Sequence, residues 1–557
     1  MAILIETNEY QTPITEELLS QYPEEVVQQF TEIVNIVPFI KNLINPNRPK
    51  IEDLPRDKEG RAIVDITNPP IYKDADYFRQ AALFYLKNNC YTKLRPNSNP
   101  NSEYRKYWRE ELRRCREGLI RQSDGMYVTG FLYWFLNYCP MMVNFYKEGQ
   151  KKAIRKESFG FFFEGIWWRS IYLYNAREQG HHAIELAKRG CAKSYFLATI
   201  MSHNLIVGES EATHKRCITV LTAAQKEYLK DDKDGTLNKF IPELSFVIDN
   251  TPFPNLLLKN SPNEMSWQMG YKKPNGAIGG SMNQVLGVSA KDDSDKLRGK
   301  RGWILYEEMG TFDGLLELYD VTRKSVEDGD YTFSCMYLVG TANNKESSFL
   351  SAKKLLYAPE SYNIQSVPNV YDKKGSGKDT FGFFFPAYIN RAGCYNKDGI
   401  SDVIKALLQV LMARYKAKYG ADPTSVLRVI AEDPITPAEA IIKVKDAYFP
   451  VASLQERADT LDKNPSLYDD IYIGELYTTG TGEIEFRPTD DIPIRTYPVD
   501  NDTKGALEIY SMPKKDREGK VFNDRYIIGV DPYDNDQAES HSLYSIFVLD
   551  TFVDDLA

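Results

Sequence analysis

Apolar residues recur at helical spacing through TPITEELLSQYPEEVVQQFTEIVNIVPFI, with Thr15 placed as an N-cap, and Pro46 and Pro49 end that stretch. Two further helices are predicted over 72–122, on either side of the turn NSNPNS. In the second, Tyr104, Trp108, Leu112, Cys115 and Leu119 share a face, and Arg105, Arg109, Arg113 and Arg116 line another. That basic face is either a phosphate-contacting surface or a solvated one balanced by Glu103, Glu110 and Glu111. Residues 1–120 therefore read as a helical N-terminal region, whose first 60 or so residues are a lid on the core in preference to an adaptor-binding tail. The aromatic-dense run 124–142 reads as core, and SFGFFFEGIWWRSIYLYNAREQG as a helix ending at Gly180. One aromatic of this region is a candidate to face a purine ring.

From 181 to about 350 the pattern changes to short apolar runs alternating with helical ones. HHAIELAKR ends a buried strand, SYFLATIMSHNLI is a helix, and RCITVLTAA and MNQVLGVSA are strands. Trp303–Tyr306 is a strand ending in two acids, and Met336–Asn344 is another, ending in Gly340-Thr341. This rhythm predicts an α/β fold with a mostly parallel sheet covered by helices. Beyond it lie a polar Gly/Lys-rich loop (362–380), the apolar strand FGFFFPAYI, and an amphipathic helix stopped by Gly420. A stretch of turns and short polar strands (475–518) follows, then two apolar strands flanking an acidic turn within Arg525–Asp550.

The 557 residues suffice for two to four domains, and 42% hydrophobic with 26% charged residues is a globular balance. A net charge of −9 confines any nucleic-acid contact to a local patch. Seven scattered cysteines, none in a C-x-x-C pair, fit reduced thiols better than a disulfide frame or a zinc site. With five histidines, metal binding by histidine is not expected, and His181-His182 is assigned to packing. The first ten residues do not resemble a secretory signal, and no apolar run is long enough to span a membrane.

Three places carry chemistry. In ELAKRGCAKS a strand leads through Lys188, Arg189 and Gly190 to Lys193-Ser194 at a helix start. The phosphate-loop pattern is G-x-x-x-x-G-K-S/T, and Ala187 and Ala192 occupy its two glycine positions. Backbone N–H groups from Gly190 to Lys193 and the helix N-terminus would ring phosphates, Lys193 would sit on the β and γ phosphates, and Ser194 would hold a metal. The alternative is a basic turn before an ordinary helix. Glu307-Glu308 would supply a carboxylate near that metal and a base orienting the attacking water, at the sheet edge where ligands bind. Thr341, at a third strand end, is a candidate γ-phosphate sensor. Arg298 and Arg301 would stabilise phosphoryl charge in cis or across subunits, or touch DNA. Asp531, followed by Asp534 and Asp536, offers part of what a two-metal nuclease needs, or an Asx-type turn.

In this order the motifs resemble the large terminase subunit of tailed bacteriophages, over about residues 120–557. The resemblance implies a P-loop NTPase sheet of the RecA/ASCE type with helices on both faces, followed by the start of an RNase H-like nuclease. It divides the chain into 1–120 (helical), 121–450 (ATPase), 451–518 (linker or subdomain) and 519–557 (partial nuclease). It assigns Arg189, Gly190, Cys191, Ala192, Lys193 and Ser194 to the phosphate loop, with Arg189 supporting the phosphates or acting as a switch. It aligns Arg298-Gly299 with an Arg-Gly before the acidic strand, and Ala431–Ile441 with a segment near the end of the ATPase half. Glu307 takes the place of a metal-binding aspartate, Glu308 is the catalytic glutamate, and Thr341-Ala342-Asn343 is the coupling motif. Asp531 is the first metal-binding aspartate of the nuclease. The implied cofactors are ATP and Mg2+, with Mn2+ or Mg2+ at the nuclease site. The implied partners are double-stranded DNA, the portal protein and the small terminase subunit, with the chain in a homo-oligomeric ring. The implied place is the host cytoplasm, transiently at the procapsid portal vertex. The implied function is ATP-driven translocation of viral DNA into the procapsid. Genome cleavage is expected only of a longer form, because one carboxylate cannot hold two metals. The rival readings are a helicase-like P-loop ATPase and a phage structural or adaptor protein with an inactive ATPase fold.

Overall fold

The computed structural model describes residues 6–145, 152–208, 216–230, 235–290, 294–312, 314–341, 346–372, 379–420, 425–441, 472–482, 484–489, 507–509, 513–515, 520, 525–531, 545–550 and 555–556. The chain forms two compact units, Met1–Lys445 and Asp446–Ala557.

The first unit is built on an eight-stranded sheet flanked by helices. Its strands in chain order are β1 (Ala183–Ala187), β2 (Ile218–Ala223), β3 (Leu257–Ser261), β4 (Ser266–Met269), β5 (Gln284–Ser289), β6 (Trp303–Tyr306), β7 (Met336–Gly340) and β8 (Phe383–Phe385). The spatial order is β8-β1-β7-β6-β2-β5-β4-β3. The six strands from β8 to β5 are parallel, and β4 and β3 extend them as an antiparallel edge. Every residue of β1, β6, β7 and β8 is buried. That is why AIELA, WILY and MYLVG read as near-continuous apolar runs rather than alternating ones.

Two parts of this arrangement differ from the sequence-based expectation. The sheet is mostly parallel as expected, but its antiparallel edge, β4 and β3, is not, because polar interruptions in LLLKNSPNEMSWQM obscure those two strands. The aromatic-rich stretch before β1 is not helical throughout: Pro140–Phe145 and Ile154–Phe159 form an antiparallel ribbon. The helix α5 then starts only at Glu164 and ends at Glu178.

The other helices that matter here are α1 (Glu24–Ile36), α2 (Pro38–Ile44), α3 (Glu103–Glu117), α4 (Gly130–Tyr138), α6 (Lys193–Ile206), α7 (Leu237–Asn250), α8 (Leu315–Val326) and α9 (Val403–Lys418). Val26, Phe30 and Val34, four residues apart, form the buried stripe of α1. The predicted cap at Thr15 is present, its side chain accepting from the Leu18 N–H. The N-terminal segment is tied to the far end of the same unit. Gln11 donates to the Ser401 carbonyl (3.0 Å) and accepts from the Val403 N–H (2.8 Å). On α3 the basic face is locally balanced: Arg113 pairs with Glu110 and Glu117, and Arg105 and Arg109 donate to backbone carbonyls. No helix among the described residues is long and apolar enough to cross a membrane.

The start of α5 is fixed by a buried cross-connection. Glu164 pairs with Arg48 (2.9 Å) and accepts from the Ser401 N–H (2.9 Å), and the Glu164 N–H donates to the Gly399 carbonyl (3.2 Å). Gly399 has φ +79°, and a Cβ there would lie 2.1 Å from the Phe162 carbonyl oxygen and 2.9 Å from Phe163 Cα. Backbone cannot yield as a side-chain tip does, so Gly399→Ala is expected to destabilise the fold by roughly 3 kcal/mol or more. An unchanged midpoint in a denaturant titration would contradict the clash.

In the second unit, Tyr472–Thr478, Ile484–Pro488 and Leu507–Ile509 form a three-stranded antiparallel sheet. Tyr526–Asp531 pairs antiparallel with Ser545–Asp550, which in turn pairs with Asp555–Leu556.

Candidate functional site

Because β1, β7 and β6 are adjacent and parallel, their carboxyl ends share one edge of the sheet in that order. Strands lie about 4.8 Å apart, so the turns after β1 and β6 flank the end of β7 within side-chain reach. The turn after β1 is residues 188–192, and α6 begins at Lys193. Gly190 is left-handed (φ +73°) and so is Ala192 (φ 59°, ψ 30°), the residue immediately before the helix.

The side chains from the three strand ends meet. Ser194 Oγ donates to Glu307 Oε1 at 2.7 Å, joining residues 113 apart in sequence. Lys193 Nζ donates to the Lys188 carbonyl (3.4 Å) and lies 4.0 Å from Glu308 Oε1. Glu308 Oε2 accepts from both the N–H (3.1 Å) and the hydroxyl (2.9 Å) of Thr341. Glu308 is itself left-handed, with φ 50°, a conformation that persists in a non-glycine residue only where the surroundings impose it. The turn after it lies against Gly340, where a Cβ would come within 3.0 Å of the Met309 nitrogen. A residue without a side chain at the end of β7 is what lets the acidic turn approach the Thr341 backbone.

The electrostatics are uneven. Glu307 is buried, its Oε2 has no hydrogen-bond partner, and its carboxyl is pushed up to about 7. Burial is the main cause and the neighbouring Glu308 charge the second; Ser194 and Lys193 oppose them. Lys188 is also buried and lowered to about 8 by desolvation, its ammonium near the Ala387 carbonyl.

Among the described residues no group of three His, Cys, Asp or Glu side chains could hold a metal ion. The Ser194 hydroxyl and the half-satisfied Glu307 carboxylate are nonetheless two hard oxygen donors. Mg2+ takes one or two protein oxygens beside phosphates and several waters. The residues present fit that ion, and the orphaned oxygen of Glu307 is the group it would satisfy.

No protein-family model matches the sequence, and no curated protein matches it. Among solved structures, the chain is similar to a point mutant of the large terminase ATPase domain of Thermus phage P74-26. Identity there is 11% and the TM-score 0.32, over 48% of this chain and 92% of that one. It is also similar to the large terminase of bacteriophage HK97, at 11% identity and a TM-score of 0.28, over 59% of this chain and 63% of that one. The chain thus spans just under two thirds of the HK97 protein. Both likenesses concern the course of the backbone alone.

Other residues singled out in the sequence make their contacts outside this cluster. Arg189 is exposed and faces Glu432 at 3.3 Å. Arg298 and Arg301 are exposed and precede β6, at the amino edge of the sheet. The Gly299 N–H donates to Ser325 in the last turn of α8. The four strand residues Trp303–Tyr306 lie between Arg301 and Glu307, so these arginines enter β6 at the end opposite the two acids. His182 accepts from the Met336 N–H (3.2 Å) and lies 3.1 Å from Glu327, a packing role in the core. Most of the aromatic run in α4 is buried, so it builds core. A cleft of about 430 Å³ lined by Tyr127, Phe131, Tyr174, Arg116, Arg177 and His203 opens where Arg177 stacks on Trp303. Trp303 begins β6, so that cleft is not beside the turn after β1. Ala342, Asn343, Asp534 and Asp536 lie outside the described residues. Asp531 ends its strand, opposite Ser545.

The sequence reading overlooked Arg169 and Glu185. Both are fully buried, and both stand in otherwise apolar runs, IWWRSIY and AIELA. A lone charge in each of two buried segments is the signal that pairs them.

Proposed function

We propose that this chain is a P-loop ATPase of the terminase large-subunit type, hydrolysing ATP to drive double-stranded DNA into a procapsid. The observation that carries the reading is the contact of Ser194 with Glu307, together with Lys193 beside Glu308 and Glu308 on Thr341. A basic loop, a helix N-terminus, a metal-competent carboxylate, a second acid and a hydroxyl sensor converge at one sheet edge.

In this reading the γ-phosphate draws the Lys193 ammonium away from the Lys188 carbonyl, and N–H groups at the start of α6 take the phosphate oxygens. Ser194 and Glu307 would hold a Mg2+, which would supply charge neutralisation for the phosphates. Glu308 would accept a proton from, or orient, the attacking water through Oε1, while Thr341 holds Oε2. That bond makes Thr341 the lever through which the state of the phosphate reaches the rest of the chain. Thr341→Val keeps the N–H but removes the hydroxyl donor, a hydrogen bond to a charged group of about 1.5–3 kcal/mol. The ratio of DNA-stimulated to basal hydrolysis is expected to fall severalfold in this variant. An unchanged ratio would take Thr341 out of the coupling.

The remaining assignments follow from the motif resemblance. DNA is held by its backbone on local basic surfaces, because a translocating motor cannot stop to read bases. The portal and the small terminase subunit are the expected partners, a ring the working assembly, and the portal vertex in the host cytoplasm its place. Asp531 is the first metal-binding acid of an RNase H-like nuclease. The deciding experiment is the ATP hydrolysis rate with and without duplex DNA at moderate salt. Duplex is expected to raise the rate severalfold. A rate that duplex leaves unchanged would remove the packaging role, and no hydrolysis under either condition would remove the enzyme.

A further inference from the structure

We propose that Arg169 is a positioning residue for the phosphate loop, holding it in the phosphate-ready shape that the motif secures with glycine and that this chain must hold with alanine. The inference rests on the ATPase reading above and deepens it. Arg169, on α5, is completely buried, and its guanidinium is gripped on every side. Its Nε and one terminal nitrogen donate to the two oxygens of Glu185 on β1, at 2.8 and 2.6 Å. Glu185 also accepts from the Tyr337 hydroxyl on β7. The rings of Phe196 on α6 and Phe385 on β8 lie 5.6 and 5.1 Å from the guanidinium carbon. The remaining terminal nitrogen donates to the Cys191 carbonyl at 2.9 Å, inside the phosphate loop. A second contact runs to Cys191 Sγ at 3.3 Å.

The consequence falls on the next residue. Fixing the Cys191 carbonyl fixes the peptide plane that leads into Ala192, which is left-handed. A residue with a Cβ populates that region less readily than glycine by a factor of roughly five to thirty. Released from Arg169, Ala192 would relax and turn the N–H groups that follow it away from the phosphates. A glycine at 192 would reach the same shape unaided. Arg169 and Ala192 are thus thermodynamically coupled, whereas an arginine that served only the core would be indifferent to what stands at 192.

The test is equilibrium binding of a non-hydrolysable ATP analogue with Mg2+, alongside thermal melting, on the full chain. Arg169→Lys keeps a charge for Glu185 but cannot also reach Cys191 with a planar fork. Affinity is expected to fall about tenfold, and adding Ala192→Gly to restore most of it while the melting temperature stays lowered. Should Arg169→Lys fail to fold, Arg169→Met with Glu185→Gln removes both buried charges and leaves an acceptor for Tyr337, and the same rescue is expected in that background. Lys193→Ala in the wild-type background locates the binding. No binding by the wild type, or binding that Lys193→Ala leaves intact, overturns the ATPase reading and this inference together. Binding lost in Lys193→Ala but unaltered in the Arg169 variants overturns this inference alone, as does a loss that Ala192→Gly fails to repair.

Discussion

Glu308→Gln is expected to lower ATP turnover by about 10²–10⁴-fold while leaving nucleotide binding in place. Glutamine has the same shape and its amide oxygen still accepts from Thr341, so the strand end keeps its position. What it lacks is the negative charge and the basicity that orient and deprotonate water. Binding should hold or tighten, because one negative charge leaves the vicinity of the phosphates. There is a second consequence at Glu307. The Glu308 charge is one cause of the elevated Glu307 pKa, so the pH at which Glu307 ionises should fall in the variant. Single-turnover hydrolysis and an equilibrium titration read both effects. Turnover within about twofold of the wild type would remove Glu308 from the chemistry.

Glu307→Gln is expected to make the nucleotide-free protein more stable and to abolish the magnesium dependence of nucleotide binding. The folded-state pKa of Glu307 is raised from 4.5 to about 7. Below the unfolded value the group is protonated in both states and costs nothing. As pH rises from 4.5 the unfolded chain ionises while the folded one resists, and the penalty grows until pH passes about 7, then stays constant. At pH 8 that penalty is roughly 3 kcal/mol, since a tenfold change in an ionisation equilibrium corresponds to about 1.4 kcal/mol. Glutamine never ionises, so the variant should melt a few degrees higher at pH 8 and indistinguishably from the wild type near pH 4. A carboxylate that weakens the empty protein and is useful only when a cation arrives is a typical exchange of stability for activity. Equal melting at pH 8 would show that Glu307 is not held in an unfavourable state.

Much of this site is visible in the sequence. The strand Trp303–Tyr306, the two acids after it and the helix starting at Lys193 all lie where periodicity puts them, because strands buried on both faces have short apolar runs with sharp ends. What periodicity cannot supply is which strand lies beside which. The order β1-β7-β6 is what brings Lys193 and Thr341 to the two oxygens of Glu308, and it depends on pairings far apart in the chain. The same limit hid the Arg169–Glu185 pair, since each charge alone looks like a misfit in an apolar segment. The antiparallel strands β3 and β4 were missed for another reason. They lie at the edge of the sheet, where exposed residues such as Lys259 and Asn260 break the alternation.

The tie between Gln11 and residues 401–403 spans some 390 positions. At 5–20 residues per second, a ribosome takes roughly 20–80 seconds to make the chain between them. Throughout that interval α1 has already emerged while α9, against which it comes to pack, has not been synthesised. The apolar stripe of Val26, Phe30 and Val34 is then open to chaperones, or to a neighbouring nascent copy. Yield in a heterologous host should therefore respond to slower translation and to co-expressed holdases more than the stability of the finished fold would suggest.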